Sequence, residues 1–190
     1  MSVVDYALVL LTPLWLLWPA MVSNSFAAIV GGGTPIDFGK SWKGKRVLGD
    51  GKTWRGFIGG MILSILVGIA QMIISDSFSQ THFGFGRTYA EAIPLISVLV
   101  IGALLGDCLG AFIKRRMGIP VGGKAPILDQ YDFAIVAVIF AFIFYSAWFI
   151  DYFISNDFWM GSILLIVLIP VLHRIFNIIG YKLGKKHVPW

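Results

Sequence analysis

The sequence predicts an all-α, polytopic membrane protein: five transmembrane helices in a single membrane-embedded domain, 1–190, with the N-terminus outside and the C-terminus cytoplasmic. Three observations predict it. Only 13% of the 190 residues are charged and 57% are hydrophobic, with a mean hydropathy of +0.82, whereas a soluble domain carries about 25% charged residues. The apolar runs are long enough to cross a hydrocarbon layer about 30 Å thick. The cations are strongly sided. Loop 31–55 holds six, loop 114–132 four, and Arg174 to Lys186 four, while Arg87 alone falls on the other face. Lys and Arg concentrate in cytoplasmic loops, so that face is assigned to the cytoplasm.

The first span is placed over 6–28. Residues 6–36 carry no charge, and Asp5 is the only charge before them. Without a cationic n-region this reads as a retained helix rather than a cleaved signal peptide. Pro13 and Pro19 are acceptable in a membrane helix, where neighbours satisfy the freed backbone groups. Asn24 lies deep in this run or near its end. Its plain reading is an interhelical hydrogen bond or a cap; its functional reading is a substrate contact.

A glycine-rich turn, Gly31-Gly32-Gly33-Thr34-Pro35, follows and ends the helix. It opens a basic loop with Lys40, Lys43, Lys45, Arg46, Lys52 and Arg55. Residues 49–53, GDGKT, resemble part of a phosphate-binding P-loop. The full pattern needs a glycine where Arg46 stands, and no strand precedes it. What remains is a loop rich in cations and exposed N–H groups, suited to polyphosphate or lipid headgroups. Topology alone would account for the cations, but not for Asp37, Asp50 and Thr53 among them.

The second span covers 56–75, and 76–91 reads as an ordinary outer loop containing His82. The third span, 92–113, is interrupted only by Asp107. Gly102, Gly106 and Gly110 recur every fourth residue along it, as do Gly56 and Gly60 in the second, which reads as close helix contact. The fourth span is placed over 133–150 and the fifth over 158–183. Cys108 is the only cysteine, so no intramolecular disulfide forms. His173 and His187 are read as interfacial side chains.

The chemistry concentrates in 106–132, GDCLGAFIKRRMGIPVGGKAPILDQYD. Asp107 lies seven residues before Lys114, about 10 Å deeper at ~1.5 Å per residue. A lone carboxylate there costs at least ~2.5 kcal/mol, so it should face a cation, a metal or the protein interior. Asp129 and Asp132 are spaced to share one helical face. Either acid alone could serve a helix N-terminus. Two acids, on the same membrane side as Asp107, Lys114 and Arg115, favour a Mg2+ site, because hard cations take carboxylate and phosphate oxygens. Zinc is disfavoured, since Cys108 and the three histidines have no ligand spacing.

These residues resemble the signature of the membrane CTP-dependent phosphatidate cytidylyltransferases: an acid (Asp107), Lys114-Arg115, a Gly/Pro-rich loop at 118–126, then D-x-x-D at Asp129 and Asp132. Residues 31–60, GGGTPIDFGK…GKRVLGDGKTWRGFIGG, resemble the archaeal branch, the CDP-archaeol synthases, more closely still. The bacterial signature carries an added Lys-Asp and a His-Gly-Gly; this chain has Val121-Gly122-Gly123-Lys124 there.

The resemblance implies transfer of CMP from CTP to 2,3-bis-O-geranylgeranylglycerol 1-phosphate, with release of pyrophosphate and with Mg2+ as cofactor. It implies a multi-pass cell-membrane enzyme whose site faces the cytoplasm. Asp107, Lys114, Arg115, Asp129 and Asp132 are expected to be catalytic, the three acids binding metal. Asn24, Asp37, Lys45, Arg46, Asp50, Lys52, Thr53 and Arg55 are expected to bind substrate. The partners expected are CTP, an isoprenoid diether glycerol phosphate and the bilayer. Homo-oligomerisation is compatible with the sequence.

Other classes fit less well. A CDP-alcohol phosphotransferase needs D-G-x-x-A-R followed by G-x-x-x-D-x-x-x-D, which is absent. A transporter built from repeats with interrupted helices has no counterpart here. The cations hug the bilayer, which calls for a lipid or nucleotide partner before a nucleic acid.

Overall fold

The computed structural model describes residues 3–77, 84–155, 157–182 and 184. His82, Leu183 and the tail with Lys185, Lys186 and His187 lie outside the described residues. Among the described residues six helices form: α1 (Val3–Val30), α2 (Trp54–Ser77), α3 (Tyr89–Arg116), α4 (Pro126–Phe144), α5 (Ser146–Phe153) and α6 (Phe158–Lys182). All but α5 are long and apolar enough to cross a membrane. The expected five spans are present.

Their boundaries differ from expectation in instructive ways. The fourth span begins at Pro126 rather than 133. Proline at the first helical position has its φ already set and loses no needed donor, so Asp129 and Asp132 sit in the first two turns of the helix. It also ends early. Tyr145 leaves the helical region (φ −140°, ψ 50°), and the chain restarts as α5. Neither Pro nor Gly marks that break. The short helix is held by side chains instead: Phe149 stacks on Phe153 at 5.0 Å, and the Trp148 indole donates to the Gly84 carbonyl.

α1 and α3 form the centre of the bundle, while α4 and α6 are the least buried spans. Leu16 and Leu17 of α1, Ile96, Leu99 and Val100 of α3 and Phe133 of α4 share the buried core. With no hydrophobic drive between helices in lipid, close backbone approach supplies the cohesion. The glycine stripes do this. A Cβ on Gly102 would lie 2.8 Å from the Ala137 Cα, and one on Gly106 would lie 2.4 Å from the Asp132 carbonyl oxygen. Gly56 and Gly60 approach the α1 backbone at Ala27 equally closely. α6 is seated on α1 through Gly161, whose Cβ would lie 2.5 Å from the Val9 carbonyl.

The loop between α1 and α2 carries the only sheet among the described residues. β1 (Ser41–Trp42) and β2 (Lys45–Arg46) are antiparallel, with Ser41 opposite Arg46 and Trp42 opposite Lys45. Lys43 and Gly44 turn the hairpin with φ of 51° and 74°. Two successive positive φ values suit the twist of a tight hairpin.

Candidate active site

Asp37 organises the basic loop. One carboxylate oxygen accepts from Gly39 N (3.0 Å) and Arg46 Nη2 (2.8 Å). The other accepts from Leu48 N (2.9 Å), Gly49 N (3.0 Å) and Arg46 Nε (3.3 Å). Burial alone would push this carboxyl up. The Arg46 guanidinium and the N–H groups of Leu48, Gly49 and Gly39 outweigh it and hold the group well below the usual carboxylate range. Arg46 also reaches the exposed Asp50 at 2.8 Å.

Thr53 has a comparable duty. Its hydroxyl oxygen accepts from Gly56 N (3.1 Å) and from Gly32 N (3.2 Å). The first bond is an N-cap on α2, and the second ties the glycine turn to that cap. Asp37 and Thr53 therefore serve the loop's own fold, and Thr53 additionally lines a cavity.

A third device joins the hairpin to the end of α3. The Arg116 guanidinium donates to the carbonyls of Trp42 (2.6 Å), Lys45 (3.0 Å) and Arg46 (2.7 Å). It lies over the Trp42 and Phe112 rings, 5.2 and 5.3 Å from their centroids, and those rings stack at 6.0 Å. Lys45 returns a bond to the Arg116 carbonyl at 3.3 Å. Five donors in a rigid planar fork suit such a clasp.

The clasp brings two distant parts of the chain together at one end of the bundle. Lys52 donates to the Asp107 carboxylate. Burial would lower the Lys52 ammonium, but Asp107 more than compensates, and its pKa is raised. Lys114 Nζ donates to Asp129 at 2.7 Å, and the second Asp129 oxygen accepts from Ala125 N at 2.8 Å at the start of α4. Asp132 faces α3 where a side chain is missing: a Cβ on Gly110 would lie 2.0 Å from its Oδ2. Its other oxygen accepts from Phe133 N at 2.6 Å.

A cavity of about 170 Å3 gathers Lys52, Asp107, Lys114, Arg115, Asp129 and Asp132 in its wall. Arg115 is 7% exposed, and its Nε and Nη1 have no partner among the described residues. A desolvated guanidinium with unused donors is a ready site for a phosphate or carboxylate. A second cavity of about 130 Å3 shares Gly51, Lys52 and Asp107 with the first. Asn24, Thr53, Phe57, Cys108 and His173 line it. The Asn24 amide oxygen has no hydrogen-bond partner among the described residues, so it makes neither the cap nor the interhelical bond of the plain reading.

The expected site residues thus divide. Asp107, Lys114, Arg115, Asp129, Asp132, Lys52, Thr53 and Asn24 converge on these two adjoining cavities. Asp37, Lys45, Arg46, Asp50 and Arg55 line neither of them. Sequence reasoning counted Arg116 as one of the four cations of loop 114–132 without singling it out, and placed His173 at the interface, whereas it lines the Asn24 cavity.

The three acids supply hard oxygen donors, the chemistry Mg2+ prefers. Among the described residues, however, no three acid, His or Cys side chains converge tightly enough to hold an ion as placed. Asp107 and Asp129 are each engaged by a lysine. The donor set fits Mg2+ in kind, with Asp132 the acid that no lysine pairs with among the described residues.

The family model for CDP-archaeol synthase matches residues 6–190. The CDP-archaeol synthase of Methanospirillum hungatei is 43% identical over 173 residues, covering 90% of this chain and 99% of that protein. That of Pyrococcus horikoshii is 42% identical over 183 residues, covering 95% and 97%. A solved structure, described as an intramembrane enzyme for archaeal membrane lipids biosynthesis, superposes with a TM-score of 0.63 at 27% identity, over 86% of this chain and 94% of that one. The chain belongs to the CDP-archaeol synthase family and is an enzyme of the nucleotidyltransferase class.

Proposed function

We propose that this enzyme transfers CMP from CTP to 2,3-bis-O-geranylgeranylglycerol 1-phosphate at the two adjoining cavities. The observation that carries the reading is the convergence of Arg115, Lys114 and Lys52 with three carboxylates in the wall of one cavity. The family relationship, to proteins named CDP-archaeol synthase, supplies the nucleotide and lipid classes.

The reaction needs little covalent help. The lipid phosphate is already an anion and attacks directly. One of its oxygens forms a bond to the α-phosphorus of CTP in line with the leaving group. The α,β-bridging P–O bond breaks with its electron pair, and pyrophosphate leaves. No proton need move. The barrier is the repulsion between anions, so catalysis is positioning and charge neutralisation.

Lys114 and Arg115 fill that role at the end of α3. Arg115 is buried with donors unused, so it meets phosphate oxygens without first surrendering a protein partner. Lys114 is oriented by Asp129, and Lys52 by Asp107. Thr53 and Asn24 face the adjoining cavity and are assigned to the nucleotide side. Asp107, Asp129 and Asp132 are the residues that would hold Mg2+, which when bound neutralises triphosphate oxygens. Asp37, Arg46 and Asp50 shape the loop that carries Lys52. Lys45 and Arg55 contribute positive potential at its rim. The cation bias assigns the site to the cytoplasmic side, where CTP is found.

The test is purified protein with radiolabelled CTP and a panel of lipid phosphates. The expected result is pyrophosphate release that depends on both substrates and on a divalent cation. Arg115→Ala should lose roughly 10²–10³-fold in kcat, as for removal of one transition-state donor, with helix content intact. Turnover without lipid phosphate, or full activity in Arg115→Ala, would overturn the reading.

A further inference from the structure

Proline has no backbone N–H, so inside a helix it leaves the carbonyl four residues earlier without its usual partner. In lipid no water replaces that partner, and another part of the protein must meet the carbonyl. Pro19 of α1 frees the Trp15 carbonyl in this way, and the Gln71 amide of α2 donates to it at 2.8 Å. Pro170 of α6 frees the Ile166 carbonyl. The Tyr131 hydroxyl of α4 donates to that oxygen at 2.9 Å. Residues 158–173 contain no Lys, Arg, Asp or Glu, so this second bond lies within the apolar part of the span.

The two bonds differ in what stands beside them. Gln71 lines neither cavity of the site. Tyr131 lies between Asp129 and Asp132, in the part of α4 that forms the catalytic wall. Successive helical residues point about 100° apart, and the contacts follow that rule: Asp132 faces Gly110 of α3, while the Tyr131 hydroxyl reaches α6. α4 and α6 are the least buried spans, so individual contacts, more than a broad packed face, set how α4 is turned about its axis. On the α3 side these include the Lys114–Asp129 pair and the close approach at Gly106. On the α6 side they include the Tyr131 hydrogen bond and the Phe133–His173 ring contact, 6.2 Å between centroids. Of the latter two, the hydrogen bond is the directional one.

We propose that Tyr131 is a positioning residue for the cytidylyl transfer: its bond to the carbonyl freed by Pro170 fixes the rotation of α4 and so aims Asp129 and Asp132 at the catalytic cavity. This rests on the reading of those two acids as site groups. Tyr131 lines neither cavity of the site, and its hydroxyl is committed to Ile166, so it acts through the acids and not on substrate. Pro170 is part of the device, because it opens a carbonyl that would otherwise be closed within α6. A rotation of α4 by about 10° moves a carboxylate held roughly 6 Å from its axis by about 1 Å, the scale on which site geometry is felt.

Tyr131→Phe removes only the hydroxyl. It should lower kcat and kcat/KM together, roughly 10-fold, with KM for CTP and for the lipid phosphate within about twofold. Mn2+ binding, measured by electron paramagnetic resonance without either substrate, should weaken several-fold, a readout independent of turnover. Gln71→Leu is the control. It removes the matching bond at Pro19 and should lower the thermal midpoint by a similar few degrees, while kcat and Mn2+ affinity stay within about twofold. Pro170→Ala returns a backbone donor to Ile166. Tyr131→Phe should therefore cost thermal stability in the wild-type background and little in the Pro170→Ala background. Wild-type kcat and Mn2+ affinity in Tyr131→Phe overturn the proposal, as do equal losses in Gln71→Leu or a stability cost that Pro170→Ala does not relieve. If the wild type turns over no CTP, the cytidylyltransferase reading fails, and Mn2+ affinity decides whether Tyr131 positions the acids. If it turns over CTP but binds no Mn2+, kcat decides. Absence of both removes the site and the positioning role with it.

Discussion

Lys52, the last cation before α2, donates to Asp107, nine residues from the end of α3, and so joins the basic loop to the membrane-embedded acid. Two segments that hydropathy treats as separate features form one pair. Asp107 thereby avoids the cost of a lone intramembrane carboxylate. Because the Lys52 ammonium is raised above its ordinary value, the stabilisation is fully present below the unfolded-state pKa and is lost only as pH rises through the folded one. Lys52→Ala should therefore lower kcat at every pH from 6 to 9, by roughly 10²-fold for a site charge of this kind. An activity loss confined to the alkaline side would contradict this placement.

Removing Asp107 should destabilise the protein. In Asp107→Ala the Lys52 ammonium is stranded in a partly buried place without its partner. The double variant should be better folded than Asp107→Ala alone, as expected when a stranded charge is removed. Thermal unfolding in one detergent across the three variants measures this.

The basic loop should be acid-sensitive through Asp37. Its carboxyl is depressed, so its stabilisation is complete above the ordinary carboxylate range and is lost only as pH falls through the lower folded value. Asp37→Ala leaves Gly39 N, Leu48 N and Gly49 N without their acceptor and Arg46 with Asp50 alone, at a cost of about 1–3 kcal/mol. Limited proteolysis should then cut within 38–50 while the helices stay intact. Protection equal to wild type would show that the loop is held by other contacts.

Much of this was legible in the residues themselves. Charge-free runs located five spans because hydrocarbon tolerates few charges, and the glycine spacing announced which helix faces touch. Asp107, Lys114, Arg115, Asp129 and Asp132 were legible as a set because charge is costly in such a chain and needs a reason. The rest depends on helix rotation and on long-range contacts. His173 lines the Asn24 cavity because Gly161 seats α6 on α1, a relationship that no local pattern carries. Arg116 adjoins two other cations and reads as one of a run, yet it alone grips the hairpin backbone. Tyr145 breaks a uniformly apolar stretch, where periodicity has nothing to detect. Asp37 and Thr53 looked like ligand residues because short polar side chains in a glycine-rich loop serve substrates and backbones equally well.

Arg116 should act through position rather than contact. Arg116→Lys keeps the charge but cannot span the three carbonyls of Trp42, Lys45 and Arg46 or stack in the same way. It should lower kcat/KM for CTP several-fold and loosen the hairpin, read as faster hydrogen exchange at 40–47. A pure charge role would leave Arg116→Lys unchanged and damage only Arg116→Ala.

Gly110 offers the sharpest separation of site from scaffold. A Cβ there would lie 2.0 Å from Asp132 Oδ2, a side-chain atom, whereas one on Gly102 would meet the Ala137 backbone. Gly110→Ala should therefore displace the Asp132 carboxylate and spare the helix pair. Gly102→Ala must instead push α4 away from α3. The first is expected to fold with near wild-type thermal stability and to lose roughly 10-fold or more in kcat, since misplacing one site group by about 1 Å can cost that much. If Asp132 holds the divalent ion, the Gly110→Ala enzyme should also need more Mg2+ for half-maximal turnover, and Asp132→Asn should need more still or fail. Equal Mg2+ dependence in wild type, Gly110→Ala and Asp132→Asn would remove Asp132 from the metal set. Because Gly102→Ala alters the same helix pair without reaching Asp132, a change in Mg2+ requirement there as well would show the effect to be one of the scaffold.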